Sequence, residues 1–478
     1  MPTRVVNARA RSYLERAALG GVGLIVSYEA AHAIVTAPSG HFPKPLLALL
    51  VAAGAAVLLA IATDHLLLGW LLLAPLFQES AGKSRVGHLL SLALYTAPPL
   101  AFAVKAMVRR GRRPRLRWID AVPALYALLV LGSLLITATS LVRATPVGTV
   151  RTFYETVVIG VIVYYVVAFW PGRSLRPERV CAVVLAAASL QAAMSIVEWL
   201  TGWNLWHDTG WHRGAGDNRS VATLANPGLL GAFIGVGMVV ALAVLFWNGP
   251  TRLRRLSILM LAIGPLGVFV TLTRGAILAT ALACAPLVLL ARRSRLAGLG
   301  VLALAVLMIV VFWGRIASTS LYQSRLSNAQ NVDVRLALQN ASLDLAAQKP
   351  ILGWGYGSFD RVKSVVQVSG TIGAVAASAA VAGNTSHDTF LTVLVEYGGV
   401  GLLLLILPWL WISSNALRRI RARAPDRWLD VAGVAAVFVI AFTGATLDLR
   451  FFSFVPAVLW LFLALMRRAA ADGPAFAA

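Results

Sequence analysis

Apolar runs of about 18 residues or more recur along this chain, and each is long enough to cross a bilayer core of roughly 30 Å. The runs are continuous, whereas a membrane β-barrel would show short segments of alternating hydrophobicity. The composition agrees, because 59% of the 478 residues are hydrophobic, only 13% are charged and the mean hydropathy is +0.78. The sequence therefore predicts an all-α, polytopic transmembrane protein.

Fourteen candidate spans fit the hydrophobic pattern. They lie at about 17–36, 45–62, 64–80, 86–108, 119–141, 151–170, 179–200, 226–247, 256–272, 275–291, 296–313, 389–412, 430–447 and 451–467. The second and third share only a three-residue turn from Thr63 to His65, and the last two are short, so the pattern fits twelve spans equally well. Either even number predicts that both termini are cytoplasmic.

The net charge of +23 is concentrated in connectors between the apolar runs. Most of the 42 basic residues lie in seven of them: Arg4 to Arg16, Lys105 to Arg117, Arg173 to Arg179, Arg252 to Arg255, Arg292 to Arg295, Arg418 to Arg427, and Arg467-Arg468. All seven face one side if the spans alternate, which is the positive-inside distribution of an inner-membrane protein. Anionic membrane lipids are the partner that this pattern predicts, rather than nucleic acid.

One outer connector is long enough to form extramembrane structure. We expect residues 1–313 to be transmembrane helices with short loops, 314–388 to be a periplasmic loop inserted in the single membrane domain, and 389–478 to be the C-terminal transmembrane helices. Within the loop, Asp333–Gln348 reads as an amphipathic helix that ends before Lys349-Pro350, because proline disfavours helix in the residue before it. A tight glycine turn follows, and the small residues of 372–383 suggest a flap.

Three polar islands fall on the outer side in this topology. They are Arg213-Gly214 to Asn226-Pro227, Thr271-Leu272-Thr273-Arg274-Gly275, and Arg335 through Gly353-Trp354-Gly355-Tyr356-Gly357 to His387. Their polar side chains stand where hydrophobic helices end. This pattern suggests chemistry on a lipid that carries phosphate.

His387 is the candidate catalytic residue, because it stands where an apolar helix begins. Thr385 or Ser386 is predicted to cap that helix. The positive end of the helix dipole disfavours imidazolium, whereas the neighbouring Asp388 favours it. An imidazole that is neutral near pH 7 could accept a proton from a hydroxyl. The alternative is an interfacial histidine bonded to the backbone.

Arginines supply the candidate phosphate-binding groups. Arg213, Arg219 and Arg274 stand at the outer boundary, where a guanidinium can bind phosphate through two hydrogen bonds. The alternative for each is snorkelling to the interface. Weaker candidates on the same face are Arg143, Arg151, Arg335 and Arg450.

The glycine run from Gly353 to Gly357 is not a nucleotide-binding loop, because no strand precedes it and a further glycine is missing. Its Trp354 and Tyr356 are candidates to line a sugar site. No metal or other cofactor is expected, since the outer segments lack paired carboxylates and His/Glu metal spacing. The two cysteines, Cys181 and Cys284, lie inside apolar runs without metal-ligand spacing.

Taken together, the islands resemble the superfamily of O-antigen ligases and O-antigen polymerases, and most resemble a ligase. The matching pattern runs through Arg213-Gly214, Asn226-Pro227, Thr271-x-Thr273-Arg274-Gly275, Arg335, Pro350-x-x-Gly353-x-Gly355-x-Gly357-x-Phe359, His387 and Glu396-x-Gly398-x-x-Gly401. It covers residues 213–401. Two departures are Asp388, where asparagine is frequent, and Asn226-Pro227, which lacks a following asparagine.

The resemblance implies a periplasmic glycosyltransferase of lipopolysaccharide biosynthesis. Its donor would be undecaprenyl-diphosphate-linked O-antigen, and its acceptor a sugar hydroxyl of lipid A–core. Such ligases invert the anomeric centre and need no metal ion. On this reading His387 activates the acceptor hydroxyl, and Arg213, Arg219 and Arg274 hold the diphosphate.

Three other functions compete with this one, and the first two share the motifs. An O-antigen polymerase would extend another lipid-linked glycan, and a protein O-oligosaccharyltransferase would use a protein hydroxyl. A non-enzymatic transporter of lipid-linked glycans would need polar residues at the midplane of several helices, and few are present.

Overall fold

A computed structural model of the chain describes residues 63–77, 116–140, 152–169, 175–202, 219–224, 226–290, 330–359, 386–424 and 427–472, with single positions at 150, 300, 303 and 307. All regular secondary structure in these residues is helical. The α-helices are α1 (Thr63–Phe77), α2 (Trp118–Ser140), α3 (Ile159–Phe169), α4 (Pro177–Thr201), α5 (Pro227–Phe246), α6 (Arg254–Phe269), α7 (Arg274–Leu289), α8 (Gln330–Gln348), α9 (Thr389–Arg421), α10 (Arg427–Gly444) and α11 (Phe454–Asp472). A π-helical turn, Tyr154–Val158, leads into α3, and 3₁₀ turns lie at Thr251–Leu253 and Leu449–Phe451.

Five of these helices are long and apolar enough to cross a membrane: Trp118–Ile136 in α2, and α4, α5, α9 and α10. The predicted all-α polytopic class is therefore confirmed. Each predicted span that falls within the described residues overlaps a helix, with boundaries that differ by a few residues at most ends. The predicted spans 17–36, 45–62 and 86–108 lie outside the described residues, as does most of 296–313.

Helix α5 is the centre of the bundle. It begins at Asn226, whose side chain accepts hydrogen bonds from two backbone N–H groups, and Pro227 occupies the first helical position. The helix is apolar on all sides and almost entirely buried, as expected of a helix surrounded by other helices. Its glycines permit close packing, because a Cβ atom at Gly237 would lie 2.6 Å from that of Ala188 in α4.

Buried ion pairs join the helices at one end of the bundle. Arg467 in α11 donates from Nη2 to Asp120 in α2 over 2.7 Å, and the hydroxyl of Tyr164 donates to the same carboxylate over 3.0 Å. Arg419 near the end of α9 pairs with Asp430 in α10 through Nε at 2.9 Å. These basic residues belong to the connectors predicted to be cytoplasmic, so the structure gathers several of them at one end.

The opposite end carries the predicted outer elements. Helix α8 confirms the predicted helix Asp333–Gln348 and ends before Lys349-Pro350, as expected. Its buried stripe of small and apolar residues packs on α9, whereas the opposite face is exposed. Residues 314–329 and 360–385, which include the predicted flap, lie outside the described residues, and the proposed boundaries 314–388 stay a prediction.

Candidate active site

The glycine turn after α8 docks by its backbone onto a kink in α9. The amide of Trp354 donates to the carbonyl of Val395 over 2.8 Å, and the amide of Gly355 donates to that of Glu396 over 2.9 Å. These carbonyls are open to the turn because the helix is interrupted at Gly398, which has φ of 65°. Two motifs that are far apart in the sequence therefore form one structural unit.

Glycine is required on both sides of this contact. Gly398 has a left-handed backbone conformation, and a Cβ atom there would collide with the carbonyl oxygen of Ile351. Gly353 also has a positive φ, of 68°, and a Cβ atom there would lie 2.5 Å from the carbonyl oxygen of Val395. The close approach of the two backbones accounts for the glycine pattern without any nucleotide.

Trp354 and Tyr356 hold this turn to two different helices. The indole N–H of Trp354 donates to the carbonyl of Leu345 over 2.8 Å and so holds the turn to α8. The ammonium of Lys349 lies 4.1 Å from the centre of the same ring. The amide of Tyr356 donates to the hydroxyl of Ser133 in α2 over 2.9 Å. Both aromatic side chains are half-buried, and their predicted contact with sugar stays a prediction.

A half-buried arginine, Arg450, contacts two buried carboxylates near the turn. Arg450 donates to Asp448 from Nε to Oδ1 (3.0 Å) and from Nη2 to Oδ2 (2.9 Å), and its Nη1 lies 2.5 Å from Oε2 of Glu396. Burial opposes the charge of the guanidinium, but the two carboxylates outweigh it and raise the pKa of Arg450 above its ordinary value. Arg450 was only a weak candidate for phosphate binding, and the structure places it in a network with both carboxylates.

Hydroxyl groups connect this network to the residues around His387. The hydroxyl of Thr392 donates to Oδ2 of Asp448 over 3.0 Å and also contacts the hydroxyl of Ser386. The hydroxyl of Thr389 donates to the carbonyl of Leu447 over 2.9 Å. The loop between α10 and α11 is thereby fixed to the first turn of α9.

Asp388 caps α9, which corrects the predicted capping residue. Its carboxylate accepts hydrogen bonds from the amides of Phe390 (2.8 Å) and Leu391 (3.0 Å). The prediction of Thr385 or Ser386 was therefore wrong: the hydroxyl of Ser386 bonds to the carbonyl of Asp388 over 2.6 Å, and Thr385 lies outside the described residues. Burial raises the pKa of Asp388, although its bonds to the two amides oppose this.

His387 is held in a strained turn just before this cap. Its φ of 54° is in the left-handed region, which is uncommon for a residue with a side chain. The side chain is half-buried, and its burial, followed by the charge of Arg335 on α8, lowers the pKa of His387, whereas Asp448 opposes the shift. Asp448, which is distant in the sequence, is therefore an acidic residue that influences the imidazole, and the influence predicted for the adjacent Asp388 stays a prediction. The arrangement favours a neutral imidazole near pH 7.

The first turns of three helices meet beside the same loop. Gly228 at the start of α5 lies against Leu447, since a Cβ atom there would be 3.1 Å from its side chain. Gly275 at the start of α7 lies closer still to Thr446, whose hydroxyl oxygen would collide with a Cβ atom there, and Thr389 at the start of α9 bonds to the carbonyl of Leu447. Helix N-termini carry partial positive charge, so their meeting favours an anion, although Asn226 and Asp388 already accept hydrogen bonds from the first N–H groups of α5 and α9.

Arg274 and Arg219 lie at this end of the bundle. Arg274 is the first residue of α7, and its side chain is exposed. Arg219 is half-buried, and the next residue, Ser220, donates its amide hydrogen to the carbonyl of Val270 in the turn that leads to Arg274. Arg335 on α8 acts on His387 through its charge. Arg213 lies outside the described residues.

The region that contains these motifs matches a known family. Residues 259–406 fit the family model described as O-antigen ligase. Over these residues the chain is similar to the O-antigen ligase family, which supports a place in that superfamily. The match spans α6 to the first half of α9 and includes Arg274, Arg335 and His387. Comparison with curated proteins gives no match.

The O-antigen ligase match confirms the resemblance stated from the motifs and supports a glycosyltransferase-like ligase or polymerase. It stops before the loop that carries Asp448 and Arg450, and Asp448 is a site residue that sequence reasoning missed. The available signal was a charged pair, Asp448 and Arg450, inside a short connector between two apolar runs. Such a pair in a membrane protein usually has a defined partner, and here that partner is Glu396.

The two carboxylates of this candidate site face an arginine. Glu396 and Asp448 both contact Arg450, so neither side chain presents a free oxygen pair of the kind that binds a divalent cation. Within the described part of the chain, no group of three His, Cys, Asp or Glu side chains is arranged to hold a metal ion.

Proposed function

We propose that this protein transfers O-antigen polysaccharide from undecaprenyl diphosphate to a sugar hydroxyl of lipid A–core, at the periplasmic face of the inner membrane. The observation that carries the proposal is the place of His387, whose pKa is lowered, directly before α9, whose first turn shares the α10–α11 loop with the first turns of α5 and α7. A glycosyl transfer from a lipid diphosphate needs both parts, a base for the acceptor and positive charge for the leaving group.

In the proposed reaction, His387 accepts the proton of the acceptor hydroxyl as its oxygen attacks the anomeric carbon of the donor. The bond between that carbon and the diphosphate oxygen breaks, and undecaprenyl diphosphate leaves with the electron pair. One displacement inverts the anomeric centre. The lowered pKa of His387 supports this role, because only the neutral imidazole can accept the proton.

We assign to arginines the stabilisation of the negative charge that develops on the diphosphate. Arg219 and Arg274 would bind it together with the N-terminal turns of α5 and α7, and Arg213 would join them from the preceding connector. Preorganised positive groups of this kind stabilise a leaving group more in the transition state than in the ground state. Arg335, Trp354 and Tyr356 are assigned to the glycan or the acceptor, because they lie on the side of His387 formed by α8 and the glycine turn.

Reconstitution with two acceptors tests the proposal. Purified protein would receive undecaprenyl-diphosphate-linked glycan and either lipid A–core or a second lipid-linked glycan, in excess chelator. We expect glycan on lipid A–core, no requirement for divalent metal, and loss of transfer in His387→Ala. Growth of the lipid-linked glycan alone would make the protein a polymerase, and transfer only to a protein acceptor would make it an oligosaccharyltransferase. Transbilayer movement of the donor without any transfer would make it a transporter.

A further inference from the structure

A short non-helical segment, residues 219–224, lies buried beneath the outer ends of the helices. Ser220, Thr223 and Leu224 are fully buried, and Ala222 has a positive φ of 45°. Non-helical backbone at membrane depth is stable only where protein groups satisfy its N–H and C=O groups. We name this segment the floor, and its hydrogen bonds account for its position.

Glu198, in the last turn of α4, holds the floor from one side. Its carboxylate accepts hydrogen bonds from the amides of Val221 (2.9 Å) and Ala222 (2.7 Å), and the residue is only 5% exposed. The hydroxyl of Ser220 donates to the carbonyl of Ser195 one turn earlier in α4, over 2.8 Å. The floor therefore runs along α4, from the last turn of that helix toward the interior of the bundle.

Gln191 and Thr223 make the deepest contact. The side-chain amide of Gln191 donates to the hydroxyl of Thr223 over 2.6 Å, and that hydroxyl donates to the carbonyl of Pro75 in α1 over 2.7 Å. Gln191 precedes the end of α4 at Thr201 by ten residues, which at 1.5 Å per residue is about 15 Å along the helix axis. Three separate parts of the chain therefore meet at one buried hydroxyl.

The floor carries donor-site groups at both of its ends. Arg219 comes directly before Ser220, whose amide is bonded to the α6–α7 turn, and Asn226 caps α5 two residues after Leu224. We propose that Thr223, Gln191 and Glu198 are positioning residues that fix the floor, and with it Arg219 and the start of α5, at the depth where a lipid diphosphate binds. This inference rests on the proposed function, since it names the residues that shape the donor site.

The test replaces the single hydroxyl at the deepest contact. Thr223→Val keeps the shape and removes both hydrogen bonds, whereas Thr223→Ser keeps the hydroxyl. Binding of undecaprenyl diphosphate without sugar would be measured on purified protein. We expect about tenfold weaker binding for Thr223→Val, the equivalent of roughly 1.4 kcal/mol, and most of the affinity retained in Thr223→Ser. Thr280→Val is the matched control, because that buried hydroxyl bonds to the carbonyl of Ala276 within its own helix.

Coupling to Arg219 separates positioning from general stability. If the floor acts through Arg219, Thr223→Val should weaken binding little further in an Arg219→Ala background. Gln191→Met removes the same contact from the other side and should reproduce the loss without adding to it. An equal loss in both backgrounds, or an equal loss in Thr280→Val, would show that the hydroxyl only stabilises the bundle, and would overturn the inference.

A second measurement tests whether the floor is buried, and it needs no donor. With Cys181 and Cys284 replaced, Ser220→Cys should resist an aqueous thiol reagent, whereas Ala347→Cys on the exposed face of α8 should react. Adding Thr223→Val should make Ser220→Cys reactive. Reaction of Ser220→Cys in the protein that keeps Thr223 would show that the floor is not buried, and would contradict the inference. Failure of the wild type to bind undecaprenyl diphosphate, with Ser220→Cys protected, would instead count against the proposed function.

Discussion

Arg450 and Asp448 form a two-point ion pair that also fixes the kink in α9. The guanidinium binds both carboxylate oxygens of Asp448, and its remaining nitrogen contacts Glu396, two residues before Gly398. The loop between α10 and α11, the kink and the glycine turn thus share one buried charge network. Thr392 extends the network to the residues beside His387.

The buried pair predicts a large stability loss for Arg450→Met. The substitution leaves Glu396 and Asp448 buried without their counter-charge, and breaking a buried pair in this way typically costs about 3–5 kcal/mol. The measurement is thermal unfolding of purified protein in detergent. Arg418→Met is the control, because Arg418 is exposed and its guanidinium bonds to Asn415 within its own helix. Equal melting temperatures for the two variants would contradict a central role for the network.

The docking of the glycine turn predicts opposite results at two adjacent glycines. Gly398→Ala places a side chain against the carbonyl of Ile351, and the backbone there, with φ of 65° and ψ of −167°, is a conformation essentially restricted to glycine that alone costs about 1–3 kcal/mol. Gly399 has an ordinary helical conformation, and a Cβ atom there would lie 3.3 Å from the carbonyl oxygen of Pro350, a tight contact that a small shift relieves, so Gly399→Ala should cost much less than Gly398→Ala. Yield of monodisperse protein and melting temperature measure the difference. Normal stability of Gly398→Ala would mean that the turn does not dock as described.

The cap of α9 predicts that Asp388→Asn is mild. Asparagine and aspartate are equally good N-cap residues, whereas replacement by alanine typically costs about 0.5–2 kcal/mol. Asp388→Asn should therefore retain stability and transfer better than Asp388→Ala, and far better than His387→Ala. The same equivalence explains how aspartate can stand where asparagine is frequent in the superfamily. A severe loss of transfer in a stable Asp388→Asn variant would give the charge a role in the chemistry.

Helix positions were predictable from the sequence, because a bilayer imposes apolar runs of a fixed length. Helix α8 was predictable as well, since its apolar spacing and Lys349-Pro350 define both its face and its end. The motifs identified the superfamily and brought Arg274, Arg335 and His387 forward as candidates. All of these signals are local or depend on a known pattern.

Contacts between distant segments were not predictable. The predicted capping residue of α9 was wrong by two positions from Ser386. Both Ser386 and Asp388 are good capping residues, and only the backbone conformation decides which of them caps the helix. Asp448 was missed because it is 61 residues from His387 and has no periodicity that marks it. The role of the glycine motif could not be predicted either, since a glycine allows close approach equally by a ligand or by a second backbone.

Membrane orientation predicts opposite labelling of two exposed positions. Ala347 lies on α8 at the end of the bundle that carries the polar islands, and Arg418 lies at the basic end. With the native cysteines replaced, a membrane-impermeant thiol reagent added to spheroplasts should label Ala347→Cys and spare Arg418→Cys until the membrane is permeabilised. The basic connectors set this orientation. The reverse pattern would place the site in the cytoplasm and exclude a periplasmic acceptor.

The electrostatics around His387 predict a pH profile that Arg335 controls. Burial and the nearby charge of Arg335 lower the pKa of His387, while Asp448 opposes them. A base acts when neutral, so kcat/KM should rise with pH through a limb below the ordinary histidine pKa of about 6.5. Arg335→Gln removes a positive charge, which raises the pKa and moves the limb to higher pH. Arg335→Lys keeps the charge and should leave the limb in place.

Two further variants complete this test. His387→Ala should lose about 10²–10⁴-fold in rate, the usual contribution of a general base, and its residual activity should no longer show the limb. Asp388→Asn should leave the limb nearly unchanged, since the carboxylate of Asp388 is turned toward the amides of α9. The profiles would be measured with defined lipid-linked donor and saturating acceptor. A limb that persists in His387→Ala would assign the titration to another group, and His387 would then be an interfacial residue at a helix end.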